Sequence, residues 1–314
     1  MAYLNVAILQ AIPESDDPSW EVRRDANLAG MATLVKKVKM SNPLVDLAVF
    51  PEYYLAGLKG LVAPDSWPRD MAETLDGPLV QAALKIARDN KIWLIPGTFA
   101  EISDDPARPY NVALLISPEG DIKLSYRKTF IPYPLEQSSA GFDYPVYEIP
   151  GIGKIGIAIC ADSSWPESIR NLALNGAEVI IRPNGESDWI LGRELHEAMA
   201  RVRAFENQLY FLDVNTAGPM GLGESLVVDP EGRVLQKLGP GELWTVAYLN
   251  LDEVRRVREQ GSSGLFPMLK ILKETKQSGH DIDACYVNGI ENAPVYKTHS
   301  QPTPRTPAEI KRLW

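Results

Sequence analysis

Cysteine and histidine are scarce in this chain, with two of the first and three of the second in 314 residues. Cys160 and Cys285 lie far apart, and with His196, His280 and His299 they make no compact metal-ligand spacing, so no metal site is expected. A disulfide is not expected either. The opening MAYLNVAILQ alternates like a strand and lacks the basic region and small-residue cleavage site of an export signal. Glycine-rich phosphate loops of the Walker and dinucleotide types are missing, so no nucleotide cofactor, and no other cofactor, is expected. No uninterrupted apolar run approaches the roughly 18 residues of a membrane helix, so no membrane partner is expected. Basic runs interleaved with aromatics are absent too. With 41 acidic against 32 basic residues the formal charge is −9, which argues against nucleic acid as a partner. These absences point to a soluble, cytoplasmic protein.

What the chain does have is enough apolar sequence for a full core. At 45% hydrophobic residues it sits near the size, about 250–300 residues, at which single cores stop growing. One main domain over residues 1–255 with a C-terminal extension over 256–314 is therefore expected rather than two domains. The extension reads differently: charge-rich VRRVREQ, apolar LFPMLKILKET, then a polar tail with Pro294, Pro302, Pro304 and Pro307. Its apolar pieces, among them Leu265, Phe266 and Ile271, need a partner surface. Disorder is the alternative for the proline-rich part.

Periodicity divides the main domain into two halves. The first reads as strand 4–10, helix 20–40, strand 45–50, helix 79–90, strand 91–99, then YNVALLI and a turn into IKLSYRK. The second repeats that order: strand KIGIAIC, helix 165–176, strand 177–183, helix 193–207, strand 209–215, then SLVV and a turn into RVLQKLG. The turns also match, ISPEGDI against VDPEGRV. Each half would make a sheet of nearly all-apolar strands with two helices to cover one face. The uncovered faces must meet, which gives an α/β fold, a four-layer α-β-β-α sandwich.

Three segments carry chemistry. Cys160 stands where the buried strand KIGIAIC gives way to the polar turn ADSSWPE and a helix. Helix N-termini offer unpaired N–H groups and a partial positive charge, which lower a thiol's pKa and hold an oxyanion. From this segment alone a small core hydrophobe is equally consistent. Glu52 ends the apolar strand VDLAVF beside aromatics, in FPEYY, and Lys128 follows a hairpin in LSYRKTFIPYPLE, with Glu136 eight residues further on.

This ordered Glu, Lys and Cys, each at or just beyond the C-terminal end of an apolar strand, resembles the nitrilase superfamily. The resemblance runs over about the first 255 residues, in FPEYY, YRKTF, ICADSSWPE and the passage RVRAFENQLYFLDVN. It implies the same four-layer fold, and a mechanism with Cys160 as nucleophile, Glu52 as general base and Lys128 as the cation at the oxyanion, joined there by the N–H of Ala161. The charge of Lys128 would hold Glu52 ionised and favour the thiolate. Glu136 corresponds to a second glutamate of amidase-like and carbamoylase-like relatives, with substrate positioning or buffering of the lysine charge as its role and a plain surface glutamate as the alternative. Tyr53, Trp165, Asn184 and Trp189 are candidate pocket-wall residues, with ordinary core packing nearly as good an account of the two tryptophans.

Nitrile-cleaving members of that superfamily follow the nucleophile with Trp-Glu, whereas Cys160 is followed by Ala161-Asp162. Amide hydrolysis is therefore preferred. Residues 127–136 are similar to the aliphatic amidase and formamidase motif, with Tyr133 in place of a tryptophan and a different following loop, QSSAGFDY, which leaves open a pocket for something larger than formamide. The alternatives are N-carbamoyl amino-acid hydrolysis, with Arg182 or Arg193 for the substrate carboxylate, nitrile hydrolysis, and a non-catalytic binding protein on the same fold. The C-terminal extensions of nitrilase relatives wrap neighbouring subunits, so the resemblance also implies a homo-oligomer.

Overall fold

Alternation along the first strand sorts the molecule into layers. Leu4, Val6 and Ile8 leave one face of β1 (Tyr3–Gln10), Ala7 and Leu9 leave the other, and all five are buried. In the computed structural model, which describes residues 2–14, 16–57, 69–133, 135–187, 192–218 and 221–279, the first set faces a second sheet and the second set faces helices.

The first half holds β1, α1 (Trp20–Ser41), β2 (Leu47–Val49), α2 (Pro78–Asn90), β3 (Trp93–Ile95), β4 (Thr98–Glu101), β5 (Tyr110–Ile116) and β6 (Ile122–Arg127). The second holds β7 (Val146–Ile149), β8 (Gly153–Ile157), α3 (Pro166–Leu174), β9 (Val179–Asn184), α4 (Arg193–Asn207), β10 (Tyr210–Asn215), β11 (Leu226–Val228) and β12 (Val234–Lys237). β13 (Leu243–Asn250), α5 (Leu251–Gln260) and α6 (Met268–Gln277) follow. In the first sheet β1, β2 and β3 pair in parallel, and in the second β8, β9 and β10 do the same. The two halves thus share their central architecture.

Ile155, Ile157, Val179, Ile181, Leu212 and Val214 meet the first sheet's inner residues in one core. Met31, Val35, Val38 and Leu79 from α1 and α2 cover the outer face of the first sheet, and Ile169, Leu172, Ala200 and Ala204 from α3 and α4 cover that of the second. Four layers result, α-β-β-α, as the apolar strands require. The helices begin on recognisable caps: Ser19 Oγ accepts from Val22 N at 3.3 Å to start α1, and Pro78 and Pro166 open α2 and α3.

Three features depart from the sequence expectation. The strand expected over 91–99 breaks at Pro96-Gly97 into β3 and β4, because Gly97 takes φ +86° and a Cβ there would lie 2.0 Å from the Pro51 carbonyl oxygen. This close approach packs the corner against the loop that carries Glu52. β7, a short strand paired with β8, was not expected. Nor was β13, which crosses back and pairs antiparallel with β1 along its whole length, from Tyr3↔Asn250 to Gln10↔Leu243.

The expected domain boundary at residue 255 falls inside α5, whose Leu251 and Val254 plug the core between the sheets. α6 rests on α4 and α5 but buries none of its residues, and Leu265 and Phe266 just before it are 61% and 62% exposed. The proline-rich tail, with Cys285, His280 and His299, lies outside the described residues. Among the described residues no helix is long and apolar enough to cross a membrane, and no group of three or more His, Cys, Asp or Glu could hold a metal ion.

Candidate active site

Glu52, Lys128 and Cys160 each lie just beyond the C-terminal end of a strand, β2, β6 and β8 respectively. Parallel register in the sheet centres and sheet-on-sheet packing bring these ends together. The Lys128 ammonium, 1% exposed, donates to Glu52 Oε1 at 2.9 Å and to Glu136 Oε2 at 2.5 Å. Both carboxylates are buried, and Asn111 at the start of β5 bridges them, its Nδ2 donating to Glu52 Oε1 at 2.8 Å and to Glu136 Oε1 at 3.0 Å. Ser138 Oγ adds a hydrogen bond to Glu136 Oε1 at 3.0 Å. Burial by itself would lower the Lys128 pKa, but the charges of Glu136 and Glu52 outweigh it and hold the ammonium well above its ordinary 10.5.

Cys160 is partly exposed and opens a 3₁₀ turn, Cys160–Ser164, with its backbone at φ +43°. A residue with a Cβ rarely adopts that conformation, so the surroundings must hold it. Asp162 supplies part of the hold: its carboxylate accepts from Ile159 N at 2.9 Å, Tyr126 Oη at 2.7 Å, Thr129 N at 3.1 Å and Phe130 N at 2.8 Å. One buried carboxylate therefore fixes the cysteine turn to the loop just after Lys128. Burial, and then the charge of Glu52, push the Cys160 thiol well above its usual range, against weaker pulls from Lys128 and Arg182. The expected pull of Lys128 toward the thiolate is therefore present, but burial and Glu52 outweigh it. The helix proper begins six residues later, at Pro166.

Glu136, eight residues beyond Lys128, thus joins the site directly. Tyr53 is buried, its N–H donating to Thr98 Oγ1 at 3.0 Å and its ring packing with Ala56 and Met71. Burial, and then the charges of Glu136 and Glu52, raise its hydroxyl's pKa well above the usual tyrosine range. Ala161 is the second residue of the cysteine turn. Trp165 is half-exposed and stacks on Phe130, with 4.7 Å between centroids and 7° between planes, over the loop after Lys128. Asn184 is fully buried; its carbonyl accepts from Glu52 N at 3.3 Å, while its side chain donates to Asp213 and Glu186 rather than lining an open pocket. Trp189 lies outside the described residues.

Beneath Cys160 is a charged cluster that the sequence reading did not find. Arg182, at 3% exposure, donates to the Cys160 carbonyl oxygen at 2.8 Å, to Glu186 Oε2 at 3.2 Å and to Asp213 Oδ2, and His196 Nδ1 lies 3.1 Å from Glu186 Oε2. Burial alone would raise the Glu186 carboxyl, but His196 and Arg182 bring it down to about 2. Arg182 is therefore engaged by its own protein and not available to a substrate carboxylate. Arg193 is ion-paired with Glu224. The signal for this cluster was an arginine directly after the apolar run Val179-Ile180-Ile181, as the signal for Asn111 was one amide at the head of YNVALLI.

A cavity of about 470 Å³ adjoins Glu136, bordered by Arg108, Tyr110, Ile131, Tyr133, Ser138 and Phe142.

The sequence model of carbon-nitrogen hydrolases matches residues 5–259. An (R)-stereoselective amidase from a Pseudomonas species is 39% identical over 220 residues, which cover 68% of this chain and 76% of that protein. A formamidase from Bradyrhizobium diazoefficiens is 36% identical over 233 residues, which cover 72% of this chain and 66% of the formamidase, so the chain spans just under two thirds of that relative. Among solved structures, Saccharomyces cerevisiae Nit3, a member of branch 10 of the nitrilase superfamily, superposes with a TM-score of 0.72 at 26% identity, covering 82% of this chain and 94% of that one. An amidase from Nesterenkonia sp. has the same fold, with a TM-score of 0.67 at 23% identity over 82% of this chain and 94% of that one.

Proposed function

The chain belongs to the carbon–nitrogen hydrolase family, and we propose from that premise that it cleaves a small amide to a carboxylic acid and ammonia through a thioester on Cys160. The observation that carries the reading is the buried Lys128 ammonium, held between Glu52 and Glu136 at the head of a loop that Asp162 ties to the Cys160 turn.

Cys160 rests as a thiol, because burial and Glu52 disfavour the thiolate. Hydrogen bonds from Lys128 Nζ and Asn111 Nδ2 hold Glu52 Oε1 in place. As sulfur bonds to the amide carbon, the thiol proton passes to Glu52 and the carbonyl electron pair moves onto oxygen, where Lys128 Nζ and the Ala161 N–H meet it. Collapse breaks the C–N bond. Glu52 returns the proton to the departing nitrogen, which leaves as ammonia. It then takes a proton from water, whose oxygen attacks the thioester, and the acid departs as the thiol is restored. Glu136 keeps Lys128 charged and aimed without drawing Glu52 out of reach of the sulfur.

The amidase and formamidase relatives support an amide rather than a nitrile, as does Ala161-Asp162 after the nucleophile. The loop QSSAGFDY, which differs from that of the formamidase motif, supports an acyl group larger than formyl. Engagement of Arg182 by Asp213 and Glu186 removes the first candidate for holding an N-carbamoyl amino acid. A reducing cytoplasm suits a nucleophile that must remain a free thiol. A homo-oligomer suits the exposed Leu265, Phe266 and Ile271 of the C-terminal extension.

Ammonia release from a panel of small aliphatic amides, aromatic amides, N-carbamoyl amino acids and nitriles tests the assignment. The expected result is fastest release from an amide, and hydroxamate formation when hydroxylamine is added. Faster release from nitriles or N-carbamoyl compounds would reassign the substrate class.

A further inference from the structure

We propose that Arg182 is the positioning residue of this site: by holding the Cys160 carbonyl oxygen it sets both the left-handed turn that presents the thiol and the direction of the Ala161 N–H. The inference rests on the reading of Cys160 as nucleophile.

The argument begins with the peptide plane. The carbonyl of Cys160 and the N–H of Ala161 belong to one rigid trans unit and point in opposite directions. A hydrogen bond that fixes the first therefore aims the second. Arg182 Nε makes that bond at 2.8 Å, and Ser163 Oγ makes another to the same oxygen at 3.2 Å. The pull falls on a residue whose φ of +43° is unfavourable for a side chain with a Cβ, so the bonds act where the backbone would otherwise relax.

The guanidinium is itself locked. Arg182 on β9 faces Asp213, its direct register partner on β10, and donates to Asp213 through Nη1 and to Glu186 through Nη2. Asn184, on the same strand, bonds both acids at 3.1 and 3.4 Å, and its carbonyl receives the Glu52 N–H. His196 secures Glu186 from α4. Three nitrogens of one planar group thus serve three different acceptors, a geometry that a lysine cannot reproduce. The same cluster ties down the backbone of both Cys160 and Glu52, the two groups between which the proton must pass. It also brings a cation beneath the sulfur, where Arg182 favours the thiolate.

A buried arginine could instead serve stability alone, so the test needs readouts that stability does not move. Arg182→Lys keeps the charge and loses the fork. The double variant Arg182→Gln with Asp213→Asn removes one positive and one negative charge together, so that no lone acid is left behind. For each folded variant, kcat and KM are measured with the best amide, and the pH profile of iodoacetamide alkylation is followed at Cys160. The proposal expects kcat to fall about 100-fold in both, as a misaimed nucleophile and oxyanion donor would require, with KM moving little. It expects the alkylation profile of the double variant to move to higher pH. A folded variant with kcat and alkylation profile within about twofold of the parent overturns the proposal. So does failure of both variants to fold, which would make Arg182 a structural residue. Cys160→Ala, run alongside, separates the two claims: activity retained there removes the nucleophile assignment itself, whereas an inactive Cys160→Ala with normal Arg182 variants removes this inference alone.

Discussion

Asp162 accepts both the backbone N–H and the hydroxyl of Thr129, at 3.1 and 3.0 Å. Thr129 follows Lys128 and Asp162 lies two residues beyond Cys160, so one buried carboxylate sets the ammonium and the thiol in a fixed relation across the two sheets. The site is thus assembled by hydrogen bonds between loops as well as by the strands that end there.

Asp162→Asn turns one oxygen into a donor that must face the N–H of Ile159, the hydroxyl of Tyr126, or the cluster at Thr129 and Phe130. A buried donor without an acceptor costs about 1–3 kcal/mol. Chemical denaturation is expected to register a loss of that size, together with slower turnover in the protein that remains folded. Unchanged stability and rate would mean that the two loops are held by other contacts.

Glu52→Gln and Lys128→Ala are each expected to slow turnover by about 100- to 1,000-fold or more, because the proton acceptor or the oxyanion donor has no substitute. Glu136→Gln should act more mildly. Its partner Lys128 retains Glu52, so Cys160 should still be alkylated while ammonia release slows. Steady-state rates beside alkylation rates check the contrast, and wild-type kinetics in Glu136→Gln would make that residue structural.

The acid limb of stability should report Glu186. Its carboxyl falls from an ordinary 4.5 to about 2 on folding, so its contribution is present above about pH 4.5 and is lost as pH falls toward 2. The linked free energy is about 3 kcal/mol. Urea midpoints measured from pH 6 down to pH 2 in the parent and in Glu186→Gln should show a shallower acid loss in the variant. Parallel curves would remove Glu186 from the account. Lys128 behaves in the opposite sense. Its raised pKa contributes stability that is complete below about pH 10.5 and is lost only as pH rises further, so it should not shape the neutral range.

Much of this architecture was legible because the strands are apolar on both faces and the two halves repeat their order. Glu52, Lys128, Cys160 and Glu136 were found as a set by resemblance; the first three lie just beyond strand ends, and Glu136 sits in the loop eight residues past Lys128, which donates to it. β7 was missed because four residues between Pro145 and Pro150 carry little periodic signal. β13 was missed because Leu243, Trp244 and Tyr248 are apolar yet exposed, which hides any inside-outside alternation. The direction of the thiol's shift was not legible because it turns on burial and on Glu52, which outweigh Lys128 and come from the folded packing rather than from the local segment. The cluster of Arg182, Glu186, His196 and Asp213 comes from two strands, a loop and a helix, and no spacing in the sequence announces it.

The central claim, a covalent acyl intermediate on Cys160 formed from an amide, is tested most directly by acid-quenching the enzyme during turnover of its best amide and mapping the adduct by mass spectrometry. The account predicts a mass gain equal to the acyl group less the thiol hydrogen it replaces on the peptide that contains Cys160, its loss on chase with water or hydroxylamine, and no adduct in Cys160→Ala. Ammonia release by Cys160→Ala, or an acyl group found on another residue, would contradict it.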